Sequence, residues 1–388
     1  MNKRFAFAFL AALTVTGGVA AQEKVKVGMV LTLSGPPAAV GQQVRNGFDM
    51  ALEELGGKLG GLPAELTVQD DELKPDIAVT KAQALVQRDG VQFVVGPVFS
   101  NVLQAIIKPV TDSNVFLLSP NPGTSDFAGV RCNPNFFVLS IQNDQGAEAV
   151  GEYATREKLK NIVALAPNYQ AGRDMIAGFK NAFKDELADE IFVPLNQLDY
   201  SAEMARIASL QPDAVFAFMP GGMGVNFVKQ FDQAGLKGKV KMLSVFSADE
   251  VNLTAQQDAA LGVLSGSSWA PTLDNPANHK FVDAYIKKFK AVPATYAAFA
   301  YDSAMLIDAA VRSVGGNLDD KDALRKALQT SEFKSLRGPF KFNSNHYPIQ
   351  NVYLTEVQKR QDGLYQSAIV QTVLENNADR YSQLCAMK

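Results

Sequence analysis

The chain has 388 residues, 47% of them hydrophobic, and it carries 37 Lys and Arg against 40 Asp and Glu, a formal net charge of −3. This acidic balance, without any basic run, excludes the electrostatic footprint of a nucleic-acid-binding protein. Because single hydrophobic cores stop growing at about 250 to 300 residues, the length predicts two or more domains.

The first 21 residues have the composition of a secretory signal peptide. Lys3 and Arg4 precede an apolar stretch over 5–15, and small residues continue to Ala21. This stretch is too short to span a hydrocarbon layer of about 30 Å, and no later window is long and apolar enough. We predict that 1–21 are removed on export to the periplasm, which leaves a soluble chain with a net charge of −5. Because no Cys follows the small residues, we expect no lipid anchor.

Beyond the leader, short β-branched runs alternate with amphipathic stretches, which is typical of parallel sheets covered by helices on both faces. In the first series the predicted strands are 25–33, 64–72, 91–98 and 115–120, and the predicted helices are 42–55 and 75–88. In the second series the predicted strands are 161–167, 190–195, 214–220 and 241–247, with a helix over 173–183.

Two such series predict an α/β fold of two doubly wound lobes. Three strand-like segments are candidate crossovers between the lobes, namely 136–144, 267–273 and 342–352. The predicted lobe bounds are 22–141 with 272–346 for the first lobe and 142–271 with 347–388 for the second. Helices near 277–290 and 298–313 then return to the first lobe, and the final strands belong to the second.

The two cysteines, Cys132 and Cys385, are far apart in sequence. In an oxidising compartment a disulfide between them would tie the C-terminal segment to the middle of the chain. Two buried thiols are the alternative.

Motifs of catalysis are missing from the sequence. Imidazole is a common base and zinc ligand, yet only His279 and His346 occur, each beside a predicted surface helix or loop. The segment at 221–227 resembles a dinucleotide fingerprint but has Phe227 where a third glycine is needed, so we interpret it as a glycine-rich turn. The acidic segment at 69–72 is interpreted as a solvated turn. We expect no enzyme, no cofactor and no metal site.

Small polar residues follow several predicted strands, in the segments 34–36, 100–101, 121–124 and 168–172. Ligands of open α/β sheets bind at the carboxyl ends of the strands, where helix N-termini also offer free N–H groups to anions. Taken singly, each segment is better explained by helix capping. Together they predict a site for a small anionic solute that is held without chemistry.

Four segments carry a resemblance to a known family over essentially the whole chain after the leader: LTLSGPPAAVGQQVRNGFDMALEELGG, VVGPVFSNV, LLSPNPGTSDFAG and APNYQAGRD. They resemble type I periplasmic binding proteins of the leucine/isoleucine/valine-binding family. The resemblance implies a Venus flytrap of two lobes joined by three crossovers. It also implies that the lobes close over the ligand by hinge motion, and that the partners are an ABC permease and its ATPase. We expect a monomer.

The resemblance also implies which residues contact the ligand. In that family a Ser after the third strand and a backbone-plus-Thr element after the fourth hold the carboxylate, and a Tyr of the second lobe covers the ligand. The matching positions here are Ser100, with its neighbour Asn101, then Asn121, Gly123 and Thr124, and finally Tyr169.

Two positions depart from the family pattern. In that family an aromatic residue of the first loop covers the ligand, and here Val40 takes its place. Phe246 takes the place of the acidic residue that pairs with the ligand's ammonium group. Asp249 and Glu250 could substitute if that loop is displaced. An unpaired buried ammonium costs several kcal/mol, so the pattern disfavours an α-amino acid.

The predicted cleft is rich in aromatic residues. Phe99, Tyr169, Phe218 and Phe246 lie at strand ends, where they would stack on a planar ligand or else pack the lobe cores. The sequence resembles the aromatic-acid-binding branch of the family, so we predict a carboxylate such as a hydroxybenzoate or cinnamate. The alternatives are a transport receptor for branched-chain amino acids and a sensor that reports ligand to a signalling partner.

Overall fold

The computed structural model describes residues 23–387, so the signal peptide predicted at 1–21 lies outside the described residues. Over the described range, none of the helices combines the length and the apolar character needed to cross a membrane.

The strands of residues 23–387 are β1 (Val25–Leu31), β2 (Lys58–Leu59), β3 (Leu62–Asp70), β4 (Phe93–Val95), β5 (Phe116–Ser119), β6 (Phe136–Val138), β7 (Ile162–Pro167), β8 (Asp189–Val193), β9 (Ala214–Phe218), β10 (Lys241–Val245), β11 (Leu264–Ser267), β12 (Lys341–Phe342), β13 (Pro348–Lys359) and β14 (Tyr365–Asn377). The α-helices are α1 (Ala38–Glu54), α2 (Pro75–Gln87), α3 (Ser100–Thr111), α4 (Ser125–Ala128), α5 (Asn143–Arg156), α6 (Gln170–Ala182), α7 (Ser201–Leu210), α8 (Gly222–Gln233), α9 (Glu250–Gln256), α10 (Pro276–Phe289), α11 (Thr295–Ser313) and α12 (Lys321–Thr330). Short 3₁₀ turns lie at Gln257–Ala260 and Ser382–Leu384.

The first lobe is built on a sheet with the strand order β2-β3-β1-β4-β5-β6. All its pairs are parallel except the β2–β3 hairpin, and Val27 of β1 pairs with Leu66 on one side and Phe93 on the other. Every residue of β4 and β5 is buried, as expected for parallel strands covered by helices on both faces.

The second lobe is built on a sheet with the order β12-β13-β11-β10-β9-β7-β8, and β14 pairs with β13. Strands β7 to β11 are parallel, whereas β12, β13 and β14 join by antiparallel pairs. Because β1, β4 and β5 of one lobe and β7, β9 and β10 of the other are parallel, each lobe presents the loops after its strands at a single edge.

The chain crosses between the two sheets at the three predicted segments. After β6 it enters α5 and β7 of the second lobe, and after β11 it returns to helices of the first lobe. There α11 packs on α1 so closely that a Cβ on Gly47 would lie 1.9 Å from the carbonyl oxygen of Ala297. The two doubly wound lobes joined by three crossovers are therefore confirmed.

The lobe bounds remain a proposal. Sheet membership supports the division into 22–141 with 272–346 and 142–271 with 347–388. One element differs: β12 falls in the range assigned to the first lobe but pairs with β13 of the second.

A buried guanidinium ties the crossovers together. Arg337 forms an ion pair with Asp302 of α11 at 3.0 Å. It also donates to the carbonyl oxygens of Leu139 and Ser140 in the first crossover and to Gln350 in the third. The hinge region therefore has a fixed polar core, in which one side chain satisfies acceptors from two connecting segments.

The sulfur atoms of Cys132 and Cys385 are bonded, with their Cα atoms 5.6 Å apart. The C-terminal segment is also held by Tyr381, whose hydroxyl donates to Asp144 Oδ2 at 2.5 Å. This end of the chain is thus joined both to the loop after α4 and to the start of α5.

The interpretation of 69–72 as a solvated turn is wrong for Asp71. Its side chain is fully buried and accepts a hydrogen bond of 2.6 Å from the hydroxyl of Thr32, and burial raises the pKa of Asp71. This burial could not be predicted locally, because the hydrogen-bond partner Thr32 follows β1, 39 residues away.

Two further local expectations change. His346 is buried rather than superficial, because the third crossover packs against the first sheet; its ring stacks on Phe137 at 4.1 Å, and burial lowers the pKa of His346 to about 4. The glycine-rich turn is confined to Gly221, which has a φ of +60°, since helix α8 begins at Gly222.

Candidate ligand-binding cleft

A narrow cavity lies between the lobes, at the carboxyl edges of both sheets. The first lobe contributes the loop from Val98 to Ser100 after β4, Asn121 and Pro122 after β5, and Tyr296 of α11. The second lobe contributes the loops after β7, β9 and β10. Loops from both lobes therefore converge on one site, as the predicted parallel topology requires.

The lining of the cleft carries no charged side chain among residues 23–387. Instead, helices begin at it: α3 starts at Ser100, which is 2% exposed, and α6 starts directly after Tyr169. The unpaired N–H groups of a helix N-terminus and its positive dipole end stabilise an anion. The cleft therefore favours a carboxylate through hydroxyl and N–H donors rather than through a cationic side chain.

Asn121 joins the two loops of the first lobe that face the cleft. Its side-chain amide donates to the carbonyl oxygen of Val98 at 2.5 Å, and its own carbonyl accepts from the hydroxyl of Ser140 at 2.7 Å. This pair of bonds fixes the loop after β4 relative to the loop after β5, and it ties both to the first crossover.

Aromatic rings form a continuous row along the cleft. Tyr169 stacks on Phe218 with the ring centroids 6.2 Å apart and the planes 15° apart. Phe218 meets Phe246 edge-on at 6.3 Å, and Phe246 packs on Tyr296 at 5.5 Å. Phe99, on the other lobe, also lines the cavity. Such flat apolar faces suit a planar ligand.

Phe246 has an unusual backbone conformation. Its φ is +58°, in the left-handed region that a residue with a bulky side chain rarely adopts. Conformations of this kind persist only where the surroundings enforce them, and they are concentrated at ligand clamps and active sites. This strained residue lies in the loop after β10, and its side chain lines the cleft.

Six of the nine predicted binding residues line the cavity, namely Phe99, Ser100, Asn121, Tyr169, Phe218 and Phe246. Asn101, Gly123 and Thr124 do not. The hydroxyl of Thr124 donates to Asp126 Oδ1 at 2.6 Å, and the N–H of Gly123 donates to Asn143 Oδ1 at 3.0 Å. The hydroxyl of Thr124 is therefore bonded within the start of α4, and the N–H of Gly123 is bonded to the first crossover.

Sequence reasoning missed several residues of the lining, and three of them lie outside the loops that follow strands. Tyr296, Asn143 and Met175 lie in helices rather than in the loops that follow strands. The predicted helix over 298–313 begins three residues too late, and its true first turn brings Tyr296 to the cleft. Val40, which replaces the ligand-covering aromatic residue of the family, lies in α1 and lines the cavity.

Asp249 and Glu250 are both buried and do not line the cleft. The hydroxyl of Tyr296 donates to Asp249 Oδ2 at 3.1 Å, which places this carboxyl behind the aromatic row. Burial raises the pKa of Asp249 to about 8 and that of Glu250 to about 7. Neither presents a carboxylate to a ligand in the cavity, so an ammonium group there would have no anionic partner.

The lobes contact each other on either side of the cavity. Asp174 of α6 accepts from the hydroxyl of Ser125 at 2.7 Å and from the side-chain amide of Asn143 at 2.9 Å. At the mouth, a Cβ on Gly222 would lie 3.2 Å from the Cβ of Pro36. The structure therefore has the lobes closed over the site.

Two α/β lobes that close over an uncharged, aromatic cleft define a protein that binds a small molecule and releases it by opening. The chain belongs to the periplasmic binding protein family, whose model matches residues 24–363.

The chain is 31% identical over 381 residues to the Leu/Ile/Val-binding protein homolog 6 of Brucella melitensis, covering 95% of this chain and 97% of that one. The structure is similar to an R. palustris ABC transporter solute-binding protein in complex with benzoate (TM-score 0.88, 31% identity, 94% and 100% of the two chains). It is also similar to a solute-binding protein of Rhodopseudomonas palustris BisB5 in complex with 3,4-dihydroxybenzoic acid (TM-score 0.85, 29% identity, 91% and 98%).

Proposed function

We propose that this protein is the periplasmic substrate-binding component of an ABC importer and that it binds an aromatic carboxylate in the cleft between its lobes. The observation that carries the proposal is the composition of the cleft: five aromatic side chains line it, and none of its described lining residues is charged. The benzoate and dihydroxybenzoate complexes of similar proteins support the same ligand class.

The carboxylate of the ligand would lie at the first lobe. Ser100 offers a hydroxyl and begins α3, whose first N–H groups and dipole favour negative charge. The ring of the ligand would then extend along the faces of Tyr169, Phe218 and Phe246. Neutral donors bind a carboxylate reversibly, which a carrier requires because it must release its cargo to the permease.

Closure follows from contacts that need both lobes. The bond between Ser125 and Asp174 and the contact of Gly222 with Pro36 each join one lobe to the other. A bound ligand that touches both lobes adds to these contacts and shifts the population towards the closed form. The permease and its ATPase would recognise that form, and the protein itself would catalyse no reaction.

A branched-chain amino acid is the second candidate, because relatives with that printed name match most of the chain. Its ammonium group would be buried beside Phe246 without an anionic partner, and such an unpaired charge costs several kcal/mol. The cleft therefore favours the aromatic acid. We also propose that 1–21 are cleaved on export, that no lipid anchor is attached and that the protein acts as a monomer.

A thermal-shift panel on ligand-stripped protein tests the proposal. Benzoate at a hundredfold excess over its Kd should raise the free energy of unfolding by about 2.7 kcal/mol. Leucine at the same concentration should leave the melting temperature unchanged. Ser100→Ala should reduce the benzoate shift, whereas Ser113→Ala, an exposed serine at the end of α3, should not. Stabilisation by leucine alone would show that the ligand class is wrong.

A further inference from the structure

The segment that follows β14, residues 378–385, passes from the second lobe to the first, and we name it the strap. Strand β14 ends at Asn377 in the sheet of the second lobe. At the other end of the strap, Cys385 is bonded to Cys132, which lies between α4 and β6 of the first lobe. The two lobes are therefore connected by this segment as well as by the three crossovers.

Two side chains hold the first half of the strap on α5 of the second lobe. Arg380 Nη2 lies 2.6 Å from Glu148 Oε1, and the hydroxyl of Tyr381 donates to Asp144 Oδ2 at 2.5 Å. Both carboxyl partners are mostly buried. Buried charged groups form stronger hydrogen bonds than exposed ones, so these two contacts fix the strap to α5 as far as Tyr381.

The second half of the strap lies on the first lobe. It forms the 3₁₀ turn at Ser382–Leu384, and a Cβ on Gly129 would lie 3.5 Å from the Cβ of Leu384. This turn therefore packs on the loop after α4, the same loop to which the disulfide attaches Cys385. Leu384 is 59% exposed, so the turn buries little apolar surface, and the covalent bond is its strongest attachment.

The strap lies beside a contact between the lobes. Ser125 of α4 donates to Asp174 of α6, and Asn143 donates to the same carboxyl. Asn143 directly precedes Asp144, to which the strap is bonded, and Ser125 shares a short segment of the first lobe with Cys132. A movement that separates Ser125 from Asp174 must therefore also draw Cys132 away from Asp144.

The length of chain between the two attachments limits that movement. Tyr381 and Cys385 are separated by four Cα–Cα steps. Fully extended at up to about 3.6 Å per residue, these steps reach about 14 Å. Wound as a 3₁₀ turn at about 2 Å per residue, they span about 8 Å. Only about 6 Å of separation is therefore available before a bond between the strap and α5 has to break.

We propose that the strap is a covalent tether across the hinge, which limits how far the lobes part at α4. The lobes then part further at the mouth of the cleft, where Pro36 meets Gly222, than they do at α4. A tether of this kind reduces the number of open conformations, so less conformational entropy is lost when the lobes close. The inference goes beyond the proposed function and holds for any ligand that the cleft binds.

Small-angle X-ray scattering of the ligand-stripped protein tests the tether. The variant with both Cys132→Ser and Cys385→Ser should have a larger radius of gyration and a larger maximum dimension than the unaltered protein. Reduction of the folded, unaltered protein with dithiothreitol should produce the same shift. Tyr381→Phe removes one bond between the strap and α5, so it should shift both quantities in the same direction and by less.

The matched control is Tyr365→Phe. The hydroxyl of Tyr365 donates to Asp258 Oδ1 at 2.5 Å, so this variant loses a bond of the same kind as Tyr381→Phe does. Tyr365 begins β14, and both of its partners in that bond belong to the second lobe. Tyr365→Phe should therefore leave the scattering of the ligand-stripped protein unchanged.

A purely stabilising disulfide gives a different result. Cross-links commonly act by restricting the unfolded chain, in which case removal of the bond lowers the melting temperature and leaves the scattering of the native protein unchanged. That result would overturn the tether, and so would equal shifts in Tyr381→Phe and Tyr365→Phe. If the double serine variant does not fold, reduction of the folded protein decides the question. Because no ligand is added, the outcome does not depend on the ligand class proposed above.

Discussion

The hydroxyl of Ser125 in the first lobe donates to Asp174 Oδ1 in the second lobe at 2.7 Å, and the same carboxyl accepts from Asn143 at the crossover. Asp174 is 4% exposed, and burial raises its pKa. Because Ser125 follows the loop that carries Asn121, this contact links closure of the lobes to the position of a ligand-facing loop.

Replacement of Ser125 tests that link. Ser125→Ala removes one hydrogen bond between the lobes. If that bond stabilises the closed form by about 0.5 to 1.5 kcal/mol, its loss should weaken ligand affinity about threefold to tenfold. The unfolding stability of the ligand-free, open protein should change little. Titration of benzoate and a denaturant curve on the same sample measure both quantities. An unchanged affinity would show that the contact does not contribute to closure.

The uncharged lining of the described cleft predicts that an added carboxylate changes the ligand preference. Phe246→Glu places a carboxylate in the cleft lining, which should reduce benzoate affinity by repulsion and allow leucine to bind, with a combined change of about a hundredfold or more in their affinity ratio. Phe246→Leu is the matched control, since it removes the ring without adding charge. Competition titrations give the ratio directly. A Glu variant that behaves like the Leu variant would argue that position 246 is not where an ammonium group would lie.

Buried carboxyls predict a stability that falls as the pH rises. The pKa of Asp144 is raised to about 7 by burial and by the neighbouring Asp174, and the pKa of Asp249 is raised to about 8. In the unfolded chain both would titrate near 3.9, so the folded state holds their protons more tightly. Their contribution is therefore full below about pH 4 and is lost as the pH rises through about 7 to 8.

The melting temperature should accordingly decrease between about pH 5 and pH 8, where the unfolded chain has released these protons and the folded state still holds them, and it should level off above that range. Asp144→Asn should flatten the decrease, because the amide does not titrate and is similar in shape to the protonated acid. Scanning calorimetry at several pH values measures the slope. A melting temperature that rises over this range would contradict the assignment of protonated carboxyls.

The buried guanidinium predicts a large loss of stability. Arg337→Leu leaves Asp302 as an unpaired buried charge and also removes donors to both crossovers, so it should cost about 3 to 5 kcal/mol. Arg156→Ala, which breaks the exposed pair with Glu152, should cost less than about 1 kcal/mol and is the control. Denaturant unfolding provides both values. Equal effects would mean that Arg337 does not anchor the hinge.

The architecture was largely predictable because its signals are local. The parallel strands are short β-branched runs that end at turn residues, and β7 is observed at Ile162–Pro167 where the pattern predicts 161–167. The position of the cleft follows from the same pattern, since the loops after such strands meet at one edge of each sheet. Ser100, Tyr169 and Phe218 could therefore be found without a structure.

The unpredicted features depend on contacts between distant segments. Tyr296 reaches the cleft because α11 returns to the first lobe, and Asp71 is buried because Thr32 lies beside it. Thr124 matches the residue type that the family uses to hold the carboxylate, but it does not line the cleft. Its hydroxyl donates to Asp126 instead.

The most direct test of the account is a calorimetric titration with benzoate and, separately, with leucine. The protein is first unfolded to remove any bound ligand and then refolded. The uncharged aromatic cleft predicts one molecule of benzoate per chain, bound at least about a hundredfold more tightly than leucine, because an unpaired buried ammonium costs several kcal/mol. Saturable binding of leucine, with no heat from benzoate, would contradict it.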